Sequence, residues 1–127
     1  MGQYLVDTNL LVDYLRGEKK IVSFLDSLGE VAVSLVSAGE IYQGAKDRKE
    51  LNLITSFLSA HCKIIPCDEQ ISNLALGLLE KYTLSHGLLI LDALIAATAM
   101  RYDLTLVTGN LKHFRMIKGL KMQSLPG

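Results

Sequence analysis

Four short apolar runs, Tyr4-Leu5-Val6, Val31-Ala32-Val33, Lys63-Ile64-Ile65 and Leu104-Thr105-Leu106-Val107-Thr108, punctuate the chain, and each is parted from the next by residues of helical periodicity. Runs this short and this apolar leave no face for water. They belong in a parallel sheet covered by helices on both sides, which requires strands and helices to alternate as they do here. Leu120 to Ser124 allows a further strand. The expected fold is a three-layer, Rossmann-like α/β domain with a short central parallel sheet of four to five strands. A chain of 127 residues makes one such domain, and no linker, repeat or low-complexity tract divides residues 1–127.

The helical stretches are readable one by one. Leu11, Tyr14 and Leu15 form a short stripe closed by Arg16-Gly17, and Ile21, Phe24, Leu25 and Leu28 form a second that ends at Gly29. Ser37-Ala38-Gly39-Glu40 opens a third helix with Ala38, Ile41, Tyr42 and Ala45 inward, and Leu51, Ile54, Phe57 and Leu58 mark a fourth. Pro66 stops the third strand, and Asp68 caps a stripe of Ile71, Leu74, Ala75, Leu78, Leu79 and Tyr82. After Ser85-His86-Gly87 comes a nearly all-apolar helix, from Leu91 or Asp92 to Tyr102, whose pattern predicts burial on every side.

Open parallel sheets bind ligands beyond the carboxyl ends of their strands. Polar groups fall at that edge in four places: Asp7-Thr8-Asn9 after the first strand, Glu40 in the helix after the second, Asp92, and Thr108-Gly109-Asn110 after the fourth. Each has a plain structural reading as well. Asp7, Thr8 or Asn9 can cap the next helix, and with Asp7 given to a site Asn9 is the better cap. Ser37-x-x-Glu40 has the spacing of a capping box. Asp92 stands where a cap could stand, and Thr108-Gly109-Asn110 is an ordinary turn. Together the acids say more than singly, because three like charges converging on one crevice repel unless a cation joins them. An oxygen-only set suits magnesium or manganese, ions that activate water and stabilise the charge of a phosphodiester displacement. Metal-dependent hydrolysis of nucleic acid is the leading chemistry.

Overall charge does not nominate a partner. Thirteen acids balance thirteen Lys and Arg, which with the high apolar content excludes disorder and a strongly basic nucleic-acid binder. The distribution is uneven, since no acid follows Asp103 while Lys112, Arg115, Lys118 and Lys121 do. That basic end either holds a phosphate backbone or only solubilises the surface. Lys46, Arg48 and Lys49 alternate with Asp47 and Glu50 and read as a solvated face. Cys62 and Cys67 lack the second pair that a zinc site needs, so reduced, partly buried thiols are expected. The glycine-rich loop and lysine of a phosphate-binding P-loop are missing. The most apolar stretch, Leu88 to Met100, is shorter than the ~20 residues of a membrane span and contains Asp92. A cytoplasmic protein without a membrane partner is expected.

Four stretches carry a family resemblance: Leu5-Val6-Asp7-Thr8-Asn9, Ser37-Ala38-Gly39-Glu40-Ile41, Leu91-Asp92-Ala93-Leu94-Ile95-Ala96-Ala97-Thr98-Ala99 and Leu106-Val107-Thr108-Gly109-Asn110-Leu111-Lys112-His113-Phe114. Their order and placement resemble the PIN-domain nucleases and, within them, the VapC-type ribonuclease toxins. The resemblance implies endonucleolytic cleavage of RNA at a magnesium or manganese site with Asp7, Glu40 and Asp92 as acidic ligands and Thr8 and Thr108 as polar support. Asn110 falls on the family's fourth acidic position, where a neutral amide oxygen binds a hard cation more weakly and puts a second ion in doubt. His113 matches a position that often carries an acid or histidine, and its plain reading is a surface residue. Lys112, Arg115 and Lys118 would contact RNA. The resemblance further implies a homodimer and a small antitoxin partner whose tail covers the acidic crevice. Two other readings remain open at this level, a catalytically impaired PIN-like module that binds RNA or protein, and a housekeeping RNA-processing nuclease.

Overall fold

The structure, a computed structural model, describes residues 3–125. In chain order it contains β1 (Tyr4–Val6), α1 (Thr8–Leu15), α2 (Lys19–Ser27), β2 (Val31–Ser34), α3 (Leu35–Gln43), α4 (Arg48–His61), β3 (Cys62–Ile65), α5 (Glu69–His86), α6 (Ile90–Arg101), β4 (Thr105–Val107), a 3-10 turn (Leu111–His113) and β5 (Met122–Gln123). The strands form one parallel sheet in the order β3-β2-β1-β4-β5. The chain therefore builds outward from β1 in one direction, then returns to add β4 on its other side. The gap between β1 and β4 is a topological switch point, where flanking loops part and leave a crevice. Asp7 follows β1 and Thr108 follows β4, so the switch point lies between them.

Side chains alternate across each strand, which splits the core in two. On one face Leu5, Ala32 and Leu106 pack with Ile71, Ala75 and Tyr82 of α5 and with the fully buried Ala93, Ala96 and Ala97 of α6. On the other, Val6, Val33 and Val107 pack with Leu10, Leu11, Leu25, Ala38, Ile41, Ile54 and Leu58 from α1 to α4. This is the expected three-layer domain, with the fifth strand present. The two cysteines are free and lie in opposite layers, Cys62 with the α1–α4 face and Cys67 with the α5–α6 face. Burial, reinforced by the nearby charge of Glu30, pushes the Cys62 thiol up to about 11. Among the described residues no helix is long and apolar enough to cross a membrane.

Four local expectations are corrected. Helix α1 begins at Thr8 rather than near Leu10, so the cap position is Asp7 and Asn9 is an exposed residue inside the helix. The capping box Ser37-x-x-Glu40 does not form. Ser34, still extended at the end of β2, caps α3 and accepts from the Val36 N–H at 3.1 Å, which leaves Ser37 within the first turns. Helix α6 starts at Ile90 after Leu89, with no side-chain cap, so Asp92 is an ordinary member of its first turn. Nor is α6 buried all round, because Leu89, Ile90 and Leu91 are 68%, 57% and 44% exposed where its start overhangs the crevice.

Candidate metal centre

Asp7 reaches the crevice from the end of the central strand and is nearly buried. Its two oxygens are held separately. Oδ1 accepts from the Thr8 N–H at 2.8 Å, and Oδ2 accepts from the Thr108 hydroxyl at 2.8 Å. Thr108, itself fully buried, also accepts from the Asn110 N–H at 2.9 Å, so the turn after β4 and the end of β1 are fixed to each other. A backbone bond from Asp7 N–H to Val107 C=O at 3.0 Å continues the same seam. Each carboxylate oxygen has a second lone pair, which leaves Asp7 able to ligate a cation while held in place.

Glu40 arrives from α3, one helical turn beyond Ser37. Its Oε1 lies 2.9 Å from the Thr8 hydroxyl oxygen, which also lies 2.8 Å from Ser37 Oγ. Asp92 arrives from the first turn of α6, and His113 Nδ1 stands 3.4 Å from its Oδ2. Burial raises the Asp92 carboxyl above its ordinary value; His113 opposes the rise, and the charges of Asp7 and Glu40 add to it. The three acids thus feel one another across the crevice.

Asp7, Thr8, Glu40, Asp92, Asn110 and His113 line a single cavity of about 460 Å³, walled on one side by Leu89, Ile90, Leu91 and Ile95. The six polar positions picked from the sequence share one wall-to-wall space. Thr108 lies behind them, bonded to Asp7. Of the basic candidates, Lys112 borders an adjoining cleft of about 260 Å³ that shares Asp92 and His113 with the acidic cavity. Arg115 and Lys118 are exposed further along the same segment, and Lys118 donates its backbone N–H to the Tyr82 hydroxyl. Sequence reading missed two features, the apolar wall at Leu89-Ile90-Leu91 and the contact of Ser37 with Thr8.

Among the described residues no group of three or more His, Cys, Asp or Glu side chains forms a ready-made cation cage. Magnesium asks for less, since it retains several waters and takes one or two carboxylates together with substrate phosphates. Three carboxylates, two of which oppose the ionisation of the third, with a neutral amide at Asn110 and one imidazole beside Asp92, fit such an ion.

The PIN domain family matches residues 4–119. This chain belongs to that family. Among curated relatives, the PIN domain is 37% identical to Ribonuclease VapC10 of Mycobacterium tuberculosis over 124 residues, which covers 92% of this chain and 90% of that protein. It is 33% identical to Ribonuclease VapC1 of Methanocaldococcus jannaschii, covering 95% of this chain and 87% of the relative. Among solved structures, a toxin-antitoxin complex from Klebsiella pneumoniae matches at 30% identity and TM-score 0.78, covering 92% of this PIN domain and 94% of that chain. DNA-bound VapBC from Salmonella typhimurium shares the fold at TM-score 0.86 and 20% identity, over 99% and 100% of the two chains.

Proposed function

We propose that this PIN domain is a magnesium- or manganese-dependent endoribonuclease, the toxin of a toxin–antitoxin pair acting on cytoplasmic RNA. One observation carries the reading: Asp7, Glu40 and Asp92 meet in one cavity at the switch point of the sheet, in a chain similar to ribonucleases named VapC. Asp7 and Asp92 would hold the ion, and Glu40 would hold it or orient its water. Such an ion supplies an activated water and neutralises the charge that develops on the phosphodiester. Thr8 and Thr108 keep Glu40 and Asp7 in place, and Lys112, Arg115 and Lys118 would receive flanking phosphates. Asn110 contributes a neutral oxygen, so a second ion would depend on the RNA's own phosphates. A homodimer belongs to the same reading and is measurable by light scattering.

Chelation is the direct test. Purified protein should cut members of a panel of transfer, ribosomal and messenger RNAs, lose the activity in EDTA and regain it with added Mg²⁺ or Mn²⁺. Cleavage that persists in the chelator would overturn the metal assignment. Asn110 favours a second reading, a binding module that has lost catalysis. That reading loses its other support, because Glu40 is not occupied in a capping box. Calorimetry with no heat of Mn²⁺ binding at millimolar concentration would favour it.

The antitoxin is proposed from the neighbour at 30% identity, which is a toxin-antitoxin complex, and from a second cavity. Between α1, α3 and α4 lies a groove of about 610 Å³ lined by Val12, Leu15, Ile41, Leu53 and Ile54, with Arg16, Lys46 and Glu50 also in its lining. Glu40 is common to this groove and to the acidic cavity. An amphipathic segment seated there would reach the carboxylates with a basic side chain. Leu53 is 62% exposed, so Leu53→Asp should fold normally. The expected outcome is cleavage that co-expression of the antitoxin no longer suppresses. Undiminished suppression would place the partner elsewhere.

A further inference from the structure

We propose that Ser37 is a positioning residue for the carboxylate site, acting through Thr8 to commit that residue's only hydroxyl proton to Glu40. The inference rests on the metal-site reading and adds to it a residue that no comparison singles out. Ser37 is fully buried in α3 and does not cap its helix, because Ser34 does. Its Oγ instead lies 2.8 Å from Thr8 Oγ1, across 29 residues of chain.

Proton counting gives the direction. A hydroxyl has one proton to donate and two lone pairs to accept with. Thr8 Oγ1 lies 2.8 Å from Ser37 Oγ and 2.9 Å from Glu40 Oε1, so it cannot donate to both. If Thr8 donated to Ser37, Glu40 would need a proton of its own to bond Thr8, and the Ser37 proton would be left over inside the protein. A donor left unpaired inside the protein is disfavoured. The arrangement that satisfies every group runs from the Ser37 O–H to Thr8 Oγ1, and from the Thr8 O–H to Glu40 Oε1.

That chain has a structural consequence. Ser37 and Glu40 are three residues apart, on neighbouring positions of one helix face. Thr8 follows Asp7 directly, and its own N–H holds Asp7 Oδ1. The Ser37–Thr8–Glu40 chain therefore ties the α3 carboxylate to the same residue that steadies the β1 carboxylate. With Oε1 bonded to Thr8, Oε2 is the less engaged oxygen for a cation or its water. Successive hydrogen bonds in a low-dielectric interior strengthen one another, so removing the first donor weakens the hold on Glu40 even though Ser37 does not touch it.

The test measures Mn²⁺ binding by calorimetry alongside cleavage and thermal melting. Losing a group that orients a ligand costs about 10- to 100-fold in metal affinity or activity. Ser37→Ala should raise the Mn²⁺ dissociation constant about tenfold, with the Mg²⁺ concentration for half-maximal cleavage moving by the same factor. Thr8→Val should shift both further, and the double variant should be no worse than Thr8→Val alone, because both substitutions break one chain. Parental Mn²⁺ affinity in Ser37→Ala, a lowered melting temperature without an affinity change, or full additivity in the double variant would each overturn the proposal. If Ser37→Ala fails to fold, Ser37→Cys keeps the volume with a weaker donor; weakened binding supports the role and parental binding overturns it. A parent that binds no Mn²⁺ sinks the nuclease reading and this inference together. A parent that binds and cleaves, beside an unchanged Ser37 variant, sinks this inference alone.

Discussion

Asp7→Asn should reduce RNA cleavage about a thousandfold or more while the protein still folds. The two halves of that expectation have separate causes. Asp7 holds the fold through two bonds, accepting from the Thr8 N–H on Oδ1 and from the Thr108 hydroxyl on Oδ2. An asparagine keeps the first with its carbonyl oxygen. Its amide can donate to Thr108, which has a lone pair to spare, at the expense of the Thr108 proton, a loss of about 1 kcal/mol. The charge, however, is gone. Charge stabilisation by a catalytic ion is worth several kcal/mol, and an ion held by one fewer carboxylate supplies less of it. Circular dichroism and melting should show a native domain, and a cleavage time course should show background. A folded variant with parental activity would remove Asp7 from the metal centre.

Much of this was legible in the sequence because it depends on local pattern. Short apolar runs separated by helical stripes fix a parallel sheet, and the strand that ends in Asp7 proves to be the central one. What could not be read is what depends on where elements stop and on contacts distant in sequence. Ser34 and Ser37 are both plausible caps by composition, and only the length of β2 decides that Ser34 takes the role. That decision frees Ser37 and Glu40 to meet Thr8, a residue from the other end of the same half-domain. Asn9 fails as a cap for a similar reason. The strand hands directly to the helix at Asp7, so α1 has already begun when Asn9 is reached. The run Leu88 to Leu91 looks like core by composition, yet all but Leu88 are exposed where the start of α6 projects over the cavity. Periodicity measures how apolar a helix is and not which part of it has a neighbour.

Asp92→Asn should abolish cleavage and, in the absence of divalent ions, raise the melting temperature at neutral pH. The sign follows from the direction of its shift. Burial, aided by Asp7 and Glu40 and opposed by His113, raises the Asp92 carboxyl in the folded protein above its unfolded value. Between those two values the folded state binds more protons than the unfolded state, so stability falls as pH rises. The contribution of protonated Asp92 is present below the ordinary carboxylate range and lost as pH passes the raised value. Once the pH is above the raised value, the parent carries an opposed charge that asparagine lacks. One effect runs the other way, since an acid in the first turn of α6 gains about 0.3–1 kcal/mol from the helix dipole. The net upward shift places the balance on the side of burial and repulsion. The gap between variant and parent should narrow as the pH is lowered toward the carboxylate range, where the parent takes up its proton. Added Mg²⁺ should stabilise the parent and leave the variant nearly unmoved, because the ion relieves a repulsion that the variant no longer has. Melting curves over pH, with and without Mg²⁺, read all of this. A variant less stable than the parent at neutral pH in chelator, or an equal response of both to Mg²⁺, would mean that the three carboxylates do not share one ion site.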